Sequence, residues 1–381
     1  MEMTASGPIS GVKVLEFAGI GPGPFAAMTL SDMGADIIRI ERPGAKRPTP
    51  DQIDLRGRRT ISLDLKDARA IALCLELGDA ADIVIEGARP GVMERLGLGP
   101  ETMLARNPKL VYGRMTGWGQ FGPLKEAAGH DINYIALTGA LHAIGATDKP
   151  VPPLNLVGDY GGGAMFLIAG VLAGLLHSRA TGQGQVVDAA MTDGTAYLMT
   201  LFYGMLDGNR WKDQRNANSI DGGAPYYDTY QCSDGRWISV GSIEPQFYAM
   251  LLEKSGAADL LPQPQLERTS WPEMKKTFAG IFRTKTCDEW CAVMEDTDVC
   301  FAPVLSMAEA PHHPHNVARE TFVQLGGVTT PAPAPRFSAT PSVIQYGPRP
   351  AGDGVREALS KWCVATGRIE ELVSEGILPL G

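Results

Sequence analysis

Hydrophobic positions in the first third of the chain alternate between short β-rich runs and longer stretches of helical period. Residues 12–17 form a compact apolar run that reads as a strand, 19–23 a glycine-rich loop, and 25–33 a helix entered through Pro24. The strand expected at 35–41 completes a βαβ unit. The pattern continues with a strand at 61–65, a helix at 68–77 and strands at 82–86 and 110–115. Strands recurring with helices between them predict a mainly parallel sheet that is covered on its faces. Beyond Gly163 the sequence predicts a long helix ending near Arg179 and stopped at Gly182, then a strand at 185–189 and a helix at 192–206.

Periodicity lapses over the polar stretch 209–221, which reads as a linker. A second lobe is expected from about Ala224, with a hairpin over 227–240 that turns at Ser233-Asp234-Gly235-Arg236, then helices to about Glu309. Thr330-Pro331-Ala332-Pro333-Ala334-Pro335 reads as an extended connector, and one or two terminal helices follow Asp353. The fold class expected is α/β, a large Rossmann-like lobe with a parallel sheet plus a smaller α+β lobe, joined by long linkers. In residue terms, a large domain spans 1–208 and is completed by 326–381. A linker follows at 209–223, the small domain at 224–315 and a return linker at 316–335.

At 381 residues the chain is long enough for two or more lobes with cores of their own. Its 44% hydrophobic and 20% charged residues exclude a disordered chain and a coiled coil. A net charge of -9 argues against nucleic acid as a partner, since phosphate binding needs a basic surface. Met1-Glu2-Met3-Thr4-Ala5-Ser6-Gly7 carries the pattern of neither a signal peptide nor a transit peptide, so a cytoplasmic location is expected. The most apolar run, 165–176, contains two glycines and falls short of the roughly 20 residues that span a bilayer, so it reads as a buried helix with no membrane insertion. Six scattered cysteines read as reduced thiols. Cys287-x-x-x-Cys291 and His312-His313-Pro314-His315 have ligand types, but the cysteine spacing fits one helix face and no second clamp exists, so no metal site is expected.

Gly19-Ile20-Gly21-Pro22-Gly23-Pro24 follows a strand, opens a helix and has Glu41 about twenty residues on, as in a dinucleotide fold. Pro24 occupies the place of the third glycine, and both prolines lack the N–H that would face a pyrophosphate. The segment therefore reads as a tight strand-to-helix turn or a cradle for another ligand. Between Arg39 and Arg69 nine basic residues stand against five acidic ones. Either an anion docks there or the run is a solvated surface laced with salt bridges. Arg89 and Arg95 follow a further strand, at the sheet edge where α/β proteins bind ligands.

Two further segments carry acid–base chemistry. His130 in Gly129-His130-Asp131-Ile132-Asn133-Tyr134 and Asp159 in Gly158-Asp159-Tyr160-Gly161-Gly162-Gly163 lie 29 positions apart, each beside glycines that let a ligand approach the backbone. An imidazole and a carboxyl on opposite faces of a carbon acid are what a two-sided proton transfer needs. The backbone N–H groups of a Gly161-Gly162-Gly163 turn are a place to stabilise an enolate oxygen. Taken singly, His130 is an ordinary hydrogen-bonded loop histidine and Asp159 a helix N-cap.

In combination these segments resemble a known family. Gly11-Val12-Lys13-Val14-Leu15-Glu16, Leu30-Ser31-Asp32-Met33-Gly34-Ala35-Asp36, Glu41-Arg42-Pro43, Arg58-Arg59 with Asp64-Leu65-Lys66, and Gly182-Gln183-Gly184-Gln185 look like the family III CoA-transferase superfamily. The His130 and Asp159 segments are similar to its α-methylacyl-CoA racemase branch, closest to bacterial members. The resemblance implies an isomerase that interconverts (2R)- and (2S)-2-methylacyl-CoA thioesters. His130 would take the α-proton of the (S) epimer and Asp159 that of the (R) epimer. Asp159 must then be a neutral acid while His130 is a base, which requires an apolar site or a neighbouring anion.

The resemblance also implies Glu244 as a glutamate brought to the site by a partner subunit, in an interlocked homodimer. Asp131 is a candidate to orient the imidazole. CoA contacts are implied at Arg42, Leu63, Asp64, Leu65 and Lys66, at Gly87, Ala88, Arg89 and Arg95, and around the thioester at Gly129, Ile132, Asn133 and Tyr134. CoA is part of the substrate and no separate cofactor is implied. The alternative on the same fold is a CoA-transferase with Asp159 as nucleophile. Transferases of the family lack the histidine found here at 130. A non-catalytic acyl-CoA binding protein, a third possibility, would need neither acid nor base. Fifteen methionines, among them Met165, Met191, Met199 and Met205, suit a pliable acyl surface or plain core.

Overall fold

The computed structural model describes residues 6–257, 259 and 263–380. Residues 1–5, on which the expectation about a leader largely rests, lie outside them. The chain forms two compact units, 1–138 with 154–198 and 320–381, and 139–153 with 199–319. This division differs from the expected one. Residues 139–153 and the helix Thr200–Asp207, assigned from sequence to the large domain, belong to the second unit, and 320–335, expected as linker, belongs to the first.

The first unit is built on a six-stranded parallel sheet: β1 (Lys13–Phe17), β2 (Asp36–Glu41), β3 (Arg58–Ser62), β4 (Ile83–Glu86), β5 (Val111–Thr116) and β6 (Gln185–Ala190), in the order β3-β2-β1-β4-β5-β6. Leu15 lies level with Ile38 on one side and Val84 on the other. The order reverses between β1 and β4, so the loops leaving these two strands part and open a crevice at the carboxyl edge. One face packs under α1 (Pro22–Asp32) and a long helix, Met165–Thr181, through Ala26, Leu30, Leu167 and Val171. The other packs under the helix Ala68–Ala80 and the C-terminal helices Val355–Lys361 and Thr366–Ser374, through Leu73, Leu77, Leu359, Trp362 and Leu372.

Several boundaries move for identifiable reasons. α1 starts at Pro22, three residues before the predicted first residue, because a proline in the first helical turn gives up an N–H that would have no intrahelical partner anyway. β3 starts at Arg58 instead of Ile61 because its arginines are buried rather than exposed. Glu16 holds Arg39 at 2.7 Å and Arg58 at 3.1 Å, Asp32 holds Arg56 at 2.5 Å, and the Arg59 guanidinium lies 4.1 Å over the Tyr346 ring. The predicted helix 192–206 breaks at Met199 into Met191–Leu198 and Thr200–Asp207. Within the expected return linker, Phe322–Leu325 and Val328–Pro331 pair as an antiparallel hairpin around Gly326 and Gly327.

The second unit holds a three-stranded antiparallel sheet, Tyr227–Gln231, Trp237–Gly241 and Phe301–Val304, the last in a stretch expected to be helical. Its core gathers Tyr226, Tyr230, Phe278, Phe282 and Trp290 from this sheet and the helices packed against it.

Candidate active site

Asp159 does not sit in a glycine-rich turn or at a helix N-cap. It lies inside a π-helical segment, Leu156–Ala164, that runs directly into Met165–Thr181. The combined stretch, Leu156–Thr181, has 26 residues and a mean hydropathy of 1.6, long and apolar enough by length and composition to cross a membrane, with half of its most apolar window buried in the protein. This replaces the shorter run expected from sequence. The glycines serve packing: a Cβ on Gly194 would run into the Gly162 carbonyl oxygen, so two backbones meet where side chains would not fit. Helical bonding of the wide π type engages the N–H groups of Gly161, Gly162 and Gly163, which removes them as oxyanion donors. Tyr160 anchors the segment by stacking on Phe25 of α1 at 4.5 Å.

Around the Asp159 carboxyl the contacts are specific. Asn155 donates its side-chain N–H to Asp159 Oδ2 at 3.2 Å, and the Asp159 backbone N–H donates to Asp131 Oδ2 at 2.7 Å. A Cβ on Gly21 would lie 2.9 Å from Asp159 Oδ2, and Gly21 has φ 67, so that position demands glycine on both counts. Burial lifts the Asp159 carboxyl above the ordinary carboxylate range against the Asn155 hydrogen bond; the Asp131 charge pushes it further up and His130 pulls it down.

His130 is exposed at the N-cap of a short helix, Asp131–Ala136. Its backbone N–H donates to Asn133 Oδ1 at 3.0 Å. Tyr134 ties the helix down, with its hydroxyl donating to the Gly129 carbonyl and its ring set edge-on to Trp118 at 4.7 Å. Asp131, expected to orient the imidazole, is buried and turned to the Asp159 amide instead, and its second oxygen has no hydrogen-bond partner among the described residues. The two segments 29 residues apart thus converge.

A cavity of about 1690 Å³ opens at the carboxyl edge of the sheet. Its walls come from the loops after β1, β2, β3 and β4 and include Gly19 to Gly21, Arg42, Lys46, Arg47, Leu63, Asp64, Leu65, Lys66, Gly87 and Ala88. Buried Glu86 fixes the last loop by accepting the Ala88 N–H at 2.7 Å. The basic run therefore divides: Arg39, Arg56 and Arg58 are held by buried acids, while Arg42, Lys46, Arg47 and Lys66 are exposed on the cavity wall.

Arg89 and Arg95 are exposed beside this wall and do not form it, while Ile132, Asn133 and Tyr134 belong to the helix capped by His130 and Gly129 precedes it. The Arg89 charge still bears on Tyr134: burial raises the Tyr134 hydroxyl pKa with the help of Asp159, and Arg89 opposes the rise. Gly21 joins the two regions, since it lines the cavity and abuts the Asp159 carboxyl. Glu244 lies in the second unit, exposed at the N-cap of the helix Pro245–Ser255. Sequence reasoning missed Asn155, although its i, i+4 spacing to Asp159 was a readable signal. It also missed Arg349, which reaches the cavity from the C-terminal return and could not be placed there by local pattern.

A family model described as CoA-transferase family III matches residues 9–354. The chain belongs to CoA-transferase family III. Two curated relatives cover 97% of this chain and are covered to 97% by it: α-methylacyl-CoA racemase of Mus musculus, 43% identical over 373 residues, and α-methylacyl-CoA racemase of Homo sapiens, 41% identical over 375. Among solved structures, a hypothetical protein from Mycobacterium tuberculosis is 27% identical with a TM-score of 0.79, covering 94% of this chain and 100% of its own. In this CoA-transferase family III chain, the cavity, Gly21 and the His130–Asp159 pair form one continuous region of the first unit.

Proposed function

We propose that this chain is an α-methylacyl-CoA racemase that interconverts (2R)- and (2S)-2-methylacyl-CoA thioesters by two-base proton transfer. The observation that carries the reading is the convergence of the His130 helix on Asp159, through the 2.7 Å bond of the Asp159 amide to Asp131, with Asp159 beside Gly21, the residue shared with the basic-walled cavity. The α-hydrogen of a thioester is weakly acidic, so its removal needs a base on one face and its return an acid on the other. From the (S) epimer, His130 takes the proton and the C–H electron pair moves into the enolate. Asp159 then gives its proton to the opposite face. The reverse cycle starts with the (R) epimer, Asp159 as carboxylate and His130 as imidazolium. A half-buried Asp159 with a raised pKa supports the neutral acid that the first direction requires.

CoA is substrate, and no separate cofactor enters the cycle. Arg42 and Lys66 suit its nucleotide phosphates, with Leu63, Asp64, Leu65, Gly87 and Ala88 forming the wall. Arg89 and Arg95 would approach the pyrophosphate from the rim, and Gly129, Ile132, Asn133 and Tyr134 would surround the thioester. The reading includes a homodimer in which Glu244 of one chain completes the site of another. Exposed Leu201 and Tyr203 on the helix Thr200–Asp207, at 59% and 52%, support a partner surface. It also places the enzyme in the cytoplasm, with Leu156–Thr181 as a core helix and neither membrane nor nucleic acid as a partner. The backbone-to-backbone packing of Gly162 on Gly194 and the net charge of -9 support that choice.

The rival within the family moves CoA between carboxylates through attack of the Asp159 carboxylate on the thioester. His130 beside Asp159 favours the racemase. Incubation with a (2S)-2-methylacyl-CoA and an added free carboxylate decides between them. The expected result is drift to a mixture of both epimers with CoA retained; CoA transfer with the epimer unchanged would install the rival.

A further inference from the structure

We propose that Asp131 and Asn155 are opposed positioning residues for Asp159, the first favouring its protonated acid and the second its carboxylate. The inference rests on the racemase reading and adds two residues to it. Asp131 is 7% exposed, one oxygen holds the Asp159 amide at 2.7 Å, and the other is buried without a hydrogen-bond partner among the described residues. A carboxylate kept that dry, short of donors and fastened to the backbone of a second acid opposes a second negative charge beside it. Asn155 acts from the other end of the residue. Its amide donates to Asp159 Oδ2 at 3.2 Å, a bond to an acceptor that is strongest when the oxygen is charged.

Neighbouring charges do not blur this assignment. Besides Asp131 and Asn155, the group that bears on Asp159 is His130, its reaction partner; Tyr134 feels Asp159 and is opposed by Arg89. Gly21 and Phe25 bring no charge against it, and Asp193 on the helix Met191–Leu198 bears on Asp188 instead. The raised Asp159 pKa is consistent with the same geometry. Both residues act through Asp159 and touch no substrate in this account.

The test is the pH profile of kcat/KM for 2-methylacyl-CoA epimerisation by the full chain, in wild type, Asp131→Asn and Asn155→Leu. Asp131→Asn keeps an acceptor for the Asp159 amide and removes the charge; Asn155→Leu removes the donor at similar volume. The apparent values belong to the His130–Asp159 pair, and the acid limb reports addition of a second proton to it. That limb moves to lower pH in Asp131→Asn and to higher pH in Asn155→Leu, each by about half a unit or more. A purely structural role would lower the rate at every pH and leave the limb in place. Limbs that stay with wild type, or move the same way in both variants, overturn the proposal. Should Asp131→Asn fail to fold, Asn155→Leu decides alone by whether its limb rises. Absence of epimerisation in the wild type would instead overturn the racemase reading itself.

Discussion

His130 caps a helix of six residues and is exposed, whereas Asp159 lies half-buried within a 26-residue helical stretch, with Asn155, Asp131 and Gly21 around it. The histidine bank is held by one side-chain bond to its backbone and by Tyr134. The aspartate bank is held by a stacked Tyr160, by glycine-to-glycine packing and by the buried acid Asp131, which reaches across from the histidine helix to the Asp159 amide. Packing that fixes the pair is thus concentrated on one side. Changes on the aspartate bank should alter stability and protonation along with chemistry, while a change at exposed His130 itself should remove chemistry alone.

The largest effect expected is on rate. His130→Ala and Asp159→Ala should each lower kcat/KM for epimerisation by about 10³–10⁴-fold, with the melting temperature of His130→Ala within about 1 °C of wild type. A substantial loss of stability in His130→Ala would break the comparison. Next comes packing. Gly194→Val drives a side chain into the Gly162 carbonyl and should cost about 2–4 kcal/mol in denaturant unfolding. A neutral result there would mean that the π segment yields easily, and the aspartate bank would lose its claim to rigidity.

Smaller effects sharpen the contrast. Gly21→Ala places a methyl 2.9 Å from Asp159 Oδ2 at a backbone φ of 67, and should lower kcat about tenfold while costing about 1–2 kcal/mol of stability. The smallest effect follows from the raised Asp159 pKa, whose stabilising contribution is full below the unfolded aspartate value of about 3.9 and is lost as pH rises through the folded value. Asp159→Asn removes that loss. Its melting temperature should match wild type at acid pH and exceed it by about 1–3 °C at neutral pH, read from melts across the range.

Much of the sheet was legible because buried parallel strands such as Ile83–Glu86, which opens on Ile-Val-Ile, are short apolar runs between helical patterns. Arg58–Ser62 was misplaced because two arginines open it, and partners distant in sequence, among them Glu16, the Pro24 carbonyl and Tyr346, make their burial tolerable. His130 and Asp159 stood out by residue type and glycine neighbours. Their environment did not: Gly158-Asp159-Tyr160-Gly161-Gly162-Gly163 has the composition of a loop, and its helical state depends on Gly194, more than thirty residues away. For the same reason the sequence pointed Asp131 at its neighbour His130, when a helix start turns the side chain of its first residue elsewhere. The hairpin Phe322–Leu325 with Val328–Pro331 was hidden by the prolines that follow it.

The central claim is that two separate groups serve the two faces of one carbon. Its most direct test is α-deuterium incorporation in D2O from purified (2S)- and (2R)-2-methylacyl-CoA, by wild type, His130→Ala and Asp159→Ala, with each epimer analysed separately. The account predicts exchange with inversion from both epimers in the wild type, exchange without inversion from the (R) epimer alone in His130→Ala, and from the (S) epimer alone in Asp159→Ala. Inversion that survives in either variant, or CoA transfer with the α-hydrogen untouched, would contradict it.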